Sequence, residues 1–367
     1  MHGGFQLIEK SVIDIFMPQL KSTSPAYAAL DLGTNNCRLL IASQRQSEPQ
    51  EFMLNVVDSY SRIVRLGEGV SETGRFSDDA MERTIEALRQ CKKKLDKHHV
   101  KAARFIATEA CRQAVNTPHF LLRVQKETGL DIEVISAAEE ANLAFRGCVS
   151  LVKPKPQRAL MLDIGGGSTE FMWVEVDETA EHPSALPVVS HKVLDWFSMP
   201  HGVMNLSEKF GGAQFAEVYF EEMVEYLEQQ LLKFRRYEEI AAAVKNNEVQ
   251  LFSTSGTVTT LAAIYLGLPR YERSKIDGIT IETEQLRDAI GSILDMRASE
   301  RFHHPCIGSD RSDYIISGCA IFEALCRLCP VEQITIADRG VREGIIFSLI
   351  ADESVQNSAL STSRGKQ

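Results

Sequence analysis

The chain alternates between short apolar runs that stop at glycine and longer stretches whose apolar residues recur at helical spacing. Ala28-Ala29-Leu30 leads into Asp31-Leu32-Gly33-Thr34-Asn35-Asn36, and Cys37-Arg38-Leu39-Leu40-Ile41 resumes the apolar run. The same pattern returns later. Ala159-Leu160-Met161-Leu162 enters Asp163-Ile164-Gly165-Gly166-Gly167-Ser168-Thr169-Glu170, and Phe171 to Val176 leaves it. Each unit reads as strand, tight turn, strand. A third strand ends at Leu251 to Gly256, where Thr257 to Leu266 opens a helix. After a Ser77-Asp78-Asp79 start, Met81, Ile85, Leu88 and Leu95 recur at helical spacing, and long helices are expected near 215–234 and 284–296.

Asp31 aligns with Asp163 and Gly33 with Gly165. Two such turns in matching apolar frames predict a duplicated α/β domain with a cleft between its halves. Pro154 and Pro156, in the stretch Val152 to Gln157, stop the preceding helix and mark the boundary. The expected organisation is an N-terminal extension over 1–26 with a linker at Lys21–Pro25, domains over 27–152 and 157–340, a final helix over 341–350, and a polar, Ser-rich disordered tail over 351–367.

The glycine turns carry the candidate chemistry. Gly165, Gly166 and Gly167 let bare N–H groups approach an anion with no Cβ in the way. Asp163 and Glu170 place hard carboxylate oxygens at either end of that turn, suited to a divalent cation or a water. Ser255, Gly256 and Thr257 open a helix whose N-terminus can face an anion or serve as an ordinary cap. A P-loop is excluded, because the chain's Gly-Lys pair is Gly365-Lys366. A dinucleotide fingerprint is excluded too, because these glycines open a strand instead of a helix.

Composition narrows the class. The 367 residues, 44% apolar and 25% charged, suit about two ordinary globular domains. No apolar run reaches membrane-spanning length and no export signal opens the chain, so a cytoplasmic protein with eight reduced thiols is expected. The net charge of −10 argues against nucleic-acid binding. Cys326 and Cys329, with His303, His304 and Cys306, have loose zinc spacing, but Cys319, Cys326 and Cys329 share one apolar helical face and read as buried thiols. The basic run Cys91 to His99 reads as a solvated helix end.

With these elements in order, the chain resembles the exopolyphosphatase/guanosine pentaphosphate phosphohydrolase (Ppx/GppA) family of the actin–sugar kinase–Hsp70 superfamily, from about Tyr27 to Ile350. Arg65-Leu66-Gly67-Glu68-Gly69, Ala107 to Ala114, Ile135-Ser136 through Glu139-Glu140-Ala141, and Ala337 to Gly344 are similar to its motifs. The resemblance implies duplicated actin-like (ribonuclease H-like) domains with the site in their cleft, and a final helix packing toward the first domain. Ser136 and Glu139 have capping-box spacing, which gives Glu139 a structural role. Glu140, about 100° around the helix, reads from its position as a complement to the helix dipole. The resemblance makes Glu140 the general base, helped by Glu170.

Gly33, Thr34, Asn35, Gly165, Gly166, Gly167 and Ser168 would then hold a terminal phosphoryl, with Arg112 and, more weakly, Arg65 as cationic contacts. Mg²⁺, or Mn²⁺ in its place, would sit on Asp31 and Asp163 with waters, near Glu170. Expected substrates are inorganic polyphosphate, guanosine pentaphosphate (pppGpp) or both. An actin-like ATP-binding module or kinase is the reading from another class. Homodimerisation is common in the family. Its longer members add a C-terminal module with a His-Asp metal motif, a dipeptide absent here, which implies weaker processivity on long chains. Asp338-Arg339 and Arg342-Glu343 are expected to be structural ion pairs.

Overall fold

A computed structural model describes residues 25–44, 54–153, 155–176, 191–309 and 311–364, with side chains to residue 353. The N-terminal extension and its linker, up to residue 24, and the last three residues of the tail lie outside these. The first apolar frame forms an antiparallel hairpin of β1 (Ala26–Leu32) and β2 (Asn36–Gln44). With β3 (Leu54–Ile63), β4 (Val100–Ala107) and β5 (Glu133–Val134) it makes a sheet ordered β3-β2-β1-β4-β5. The second frame forms the hairpin of β6 (Arg158–Ile164) and β7 (Thr169–Val176). Its sheet continues through β8 (His191–Met199), β9 (Val249–Ser255), β10 (Thr280–Glu282) and β11 (Gln333–Ala337), in the order β10-β11-β9-β6-β7-β8.

Stripped of β10, the second order repeats the first strand for strand, with the parallel neighbours β4 and β9 joining β1 and β6 in the same way. The fold is therefore a duplicated α/β domain of the actin-like type. Each hairpin is a near-continuous apolar strand pair, because both faces of its sheet are covered. In the first lobe Leu30, Leu39 and Ile41 pack on Ile85 and Leu88 of helix Asp78–Lys97. That helix starts where expected, with the Ser77 hydroxyl accepting from the Ala80 amide. In the second lobe Leu160, Leu162, Phe171 and Trp173 pack on Val258, Leu261, Ile290 and Phe322.

The remaining face of each sheet is covered by a helix contributed from the other half of the sequence. Helix Ala137–Cys148 falls within the expected 27–152 domain, but its Ala141, Ala144 and Phe145 pack on Met161, Met172 and Val174 of the second sheet. Helix Val341–Arg364 sends Ile345, Ile346 and Ile350 against Tyr27, Ala29 and Leu40 of the first sheet. This helix also corrects the expected tail. Residues 351–364 continue it, and Glu353 in its fourth turn is tied to both Tyr27 and Lys101. Among the described residues no helix is long and apolar enough to cross a membrane.

These two helices cross backbone to backbone. A Cβ on Gly344 would fall inside contact with the Leu143 carbonyl and 3.2 Å from the Gly147 nitrogen, neither of which can swing away. Helix propensity alone favours Gly344→Ala by about 1 kcal/mol, whereas forcing the crossing apart costs about 3 kcal/mol. The clash decides the sign. Urea denaturation of Gly344→Ala is expected to show a net loss of about 2 kcal/mol.

Candidate active site

The two glycine turns meet across the cleft. A Cβ on Gly166 would lie 3.2 Å from the Asn35 nitrogen, and one on Gly167 would lie 2.6 Å from the Thr34 hydroxyl oxygen. Glycine is required here by this approach of one main chain to the other. Between the lobes opens a cavity of about 320 Å³, whose wall includes Asp31, Gly33, Thr34, Asn35, Glu140, Asp163, Gly165 to Ser168, and Ser255 to Thr257.

Five of the turn carbonyls are held by donors from outside the turns. Gly165 and Gly166 carbonyls accept from the amides of Val203 and Met204 at 3.0 and 2.8 Å, and the Gly167 carbonyl accepts from Asn205 Nδ2 at 2.7 Å. In the first lobe the Asn35 carbonyl accepts from the Val64 and Arg65 amides at 2.8 and 3.0 Å, and the Thr34 carbonyl from Gly67 at 2.9 Å. Because a peptide plane points its N–H opposite its C=O, pinning the carbonyls outward leaves the intervening amides for an anion. The expected donor set shrinks in one respect. The Gly33 and Gly165 amides close their own turns onto Asn36 and Ser168 carbonyls, each at 2.9 Å, so Gly166, Gly167, Ser168 and the Thr34–Asn36 amides remain. The buried Asn35 Oδ1 has no partner among the described residues and lies at the same place.

The carboxylates gather behind the turns. Cross-strand register sets Asp163 opposite Glu170, and sets Asp31 opposite Arg38 at the equivalent position of the first hairpin. Asp163 is pushed up to about 8 by burial and by its neighbours Glu140 and Asp31. Glu170 is raised to about 7 by burial and by Asp163, opposed by hydroxyl donors including Ser198, 2.9 Å away. Burial, then Glu170, raises Glu140 well above the carboxylate range. Asp31 is also raised by burial, against the pull of Arg38 and Arg342.

Such mutual repulsion calls for a cation. Among the described residues, however, no three His, Cys, Asp or Glu converge as a closed metal cage. Asp31 and Asp163, both on the cavity wall, are the carboxylates that could hold a divalent cation together with waters and an anion.

Three expected residues stand apart from the cavity wall. Glu170 is buried, with 2% of the residue exposed, and touches serine hydroxyls, so it adjoins Glu140 without facing the cleft. Arg112 was expected on a phosphate. Its guanidinium instead donates to Glu140 Oε2 at 2.9 Å, Glu109 Oε2 at 2.8 Å and the Ile135 carbonyl at 3.0 Å, because two half-buried acids compete for it. Arg65 pairs between the lobes with Asp313 at 3.0 Å. Glu139 does not reach back to its helix start. The Ser136 hydroxyl accepts from its amide, and its carboxylate turns to Arg104, a full charge being the stronger partner. The Ser255 hydroxyl accepts from the Val258 amide, making it the helix cap.

The expected sequence-adjacent ion pairs are also replaced. Arg339 pairs with Asp277, Asp338 accepts from Tyr271 at 2.7 Å, and Arg273 donates to Glu343 at 2.9 Å. All eight cysteines are free and buried. Sequence reasoning missed Arg38, Glu109, Tyr271, Arg311 and Tyr314 on the wall. Arg38 alone left a trace, as a charge interrupting an apolar strand.

The carboxylate cluster sets a pH dependence. Groups raised on folding stabilise the protein most below their unfolded values near 4, and that contribution is lost as pH rises through the folded values near 7 and 8. The metal-free protein is expected to melt at a lower temperature at about pH 8.5 than at about pH 6, with millimolar Mg²⁺ narrowing the gap. Differential scanning calorimetry at the two pH values checks this.

Residues 40–353 match the model of the Ppx/GppA phosphatase family. Exopolyphosphatase 2 of Mycobacterium tuberculosis is 29% identical over 337 residues, spanning 88% of this chain and 98% of that protein. The guanosine-5'-triphosphate,3'-diphosphate pyrophosphatase of Aeromonas hydrophila is 28% identical over 330 residues, 90% of this chain and 60% of that protein. The crystal structure of the Aquifex aeolicus Ppx/GppA family member is 28% identical, with a TM-score of 0.68 over 90% of this chain and 98% of that one. A family match over residues 40–353, most of the chain, makes this protein a member of the Ppx/GppA phosphatase family.

Proposed function

We propose that the protein hydrolyses the terminal phosphoanhydride of inorganic polyphosphate and releases orthophosphate. The observation that carries this reading is the pair of carbonyl-pinned turns aiming amides at one point beside the half-buried Glu140. Polyphosphate is favoured over guanosine pentaphosphate because the exopolyphosphatase relative is matched along 98% of its length and the guanosine relative along 60%.

The amides of Gly166, Gly167 and Ser168 and of the Thr34–Asn36 turn receive the terminal phosphoryl oxygens, and the Ser168 and Asn35 side chains add donors. A cavity of about 320 Å³ has room for the end of a polyphosphate chain. Glu140 takes a proton from water as its oxygen bonds to the terminal phosphorus and the bridging P–O bond breaks. The departing chain leaves as a phosphate anion. Arg112 holds the Glu140 carboxylate in place, and Glu170 tunes its proton affinity. Asp31 and Asp163 would hold Mg²⁺, which would withdraw charge from the phosphoryl oxygens. Phosphoryl transfer is mostly positioning and charge compensation, which is what these groups offer.

Phosphate release with Mg²⁺ from long-chain polyphosphate, guanosine pentaphosphate and ATP tests the reading. Polyphosphate is expected to be the fastest. A faster guanosine pentaphosphate would name the sister activity, and turnover confined to ATP would overturn the assignment in favour of an ATP-binding module.

A further inference from the structure

We propose that Asp313 is a tethered stand-in for a distal phosphate of the substrate, holding Arg65 between the lobes until a long polyphosphate chain displaces it. The inference rests on the polyphosphate reading above. Arg65 belongs to the first lobe and Asp313 to the second, and their side chains meet at 3.0 Å between the lobes, beside Tyr314 of the cavity wall. Both are partly exposed, at 35% and 44%, so solvent and ions reach the pair and an incoming anion can compete for it.

The placement of Arg65 is built. Its amide donates to the Asn35 carbonyl at 3.0 Å, which fixes its main chain to the first phosphate turn. Its φ of +48° is uncommon for a residue with a side chain, and such conformations concentrate at functional positions. The guanidinium lies 5.6 Å from the centre of the Tyr314 ring, a cation–π contact that keeps it oriented when Asp313 lets go. Tyr314 and Arg311, flanking Asp313 in sequence, line the cavity itself.

A long polyphosphate chain exceeds a cavity of about 320 Å³, so the rest of it must leave between the lobes. Glu208 of the second lobe accepts from the Ser71 hydroxyl of the first at 2.7 Å, close in sequence to Arg65. In a chain of net charge −10, a polyanion needs a local cation, and the carboxylate that holds Arg65 sets the cost of reaching it. Exchange of Asp313 for a phosphate frees the carboxylate to solvent and leaves the charge on Arg65 matched throughout. A short substrate ends inside the cavity and leaves the pair intact, so Arg65 and Asp313 together set selectivity for chain length.

Isothermal titration of the full-length protein with tripolyphosphate and with long-chain polyphosphate tests this, using Glu140→Gln as the background so that nothing turns over. Adding Asp313→Asn is expected to tighten long-chain binding about fivefold while tripolyphosphate binding stays within about twofold. Adding Arg65→Gln is expected to weaken long-chain binding about tenfold. The opposite signs are diagnostic, because a pair that merely fastens the lobes is broken equally by either change. Shifts in the same direction for both variants, or equal shifts for both ligands, would overturn the proposal while leaving the hydrolase reading intact. Failure of either ligand to bind would overturn both. Asp313→Ser should reproduce the sign obtained with Asp313→Asn, which separates the effect from a folding defect.

Discussion

Glu140→Gln is expected to lower kcat by about 1000-fold with little change in KM, the size of effect that a positioned general base contributes. Glutamine keeps the shape and can still pair with Arg112, so the change isolates the loss of a proton acceptor. A second consequence has the opposite sign. Glu140 carries a negative charge that helps raise Asp163, and its removal relieves that repulsion. Metal-free Glu140→Gln is therefore expected to melt at a higher temperature than the parent at about pH 8. Steady-state kinetics and a thermal melt on the same preparations check the two halves. A variant both inactive and less stable would point to a structural carboxylate.

Gly202→Ala is expected to cost about 100-fold in kcat/KM although residue 202 contributes nothing to the cavity wall. A Cβ there would lie 2.5 Å from the Gly167 nitrogen and 2.6 Å from the Gly165 carbonyl oxygen. The backbone of Gly202 itself, at φ −112°, suits any residue, so the whole effect is steric. Alanine must push the glycine turn toward the cleft or break the bonds from Val203 and Met204 that hold its carbonyls outward. Displacement of aligned donors by a fraction of an ångström to 1 Å accounts for a loss of this size. Kinetics with tripolyphosphate, paired with a urea melt showing a retained fold, distinguish a moved turn from an unfolded one.

The parts of this molecule legible in its sequence are those set by local periodicity and turn chemistry. Asp31-Leu32-Gly33 and the Gly165–Gly167 run marked both hairpins, and Ser77 marked its helix start, because a turn or a cap is decided within a few residues. Partner choice across the fold was less legible. Arg112 carries no sign in the sequence that Glu109 and Glu140 will claim its guanidinium, and nothing local says that Glu139 will turn to Arg104. The outward pinning of the turn carbonyls depends on Val203 to Asn205, far along the chain from the glycines they hold. The exchange of helices between sheets was hidden for the same reason. An amphipathic face shows that a helix is buried, but not which sheet buries it.

The most direct test of the account is a single-turnover reaction in ¹⁸O-labelled water, run with the parent protein and Glu140→Gln on long-chain polyphosphate with Mg²⁺. The account predicts a single ¹⁸O atom in each released orthophosphate, an unlabelled remaining chain, and a chemical step slowed about 1000-fold in the variant. Label appearing on the chain end instead of the orthophosphate, or a variant as fast as the parent, would contradict attack of a Glu140-activated water on the terminal phosphorus.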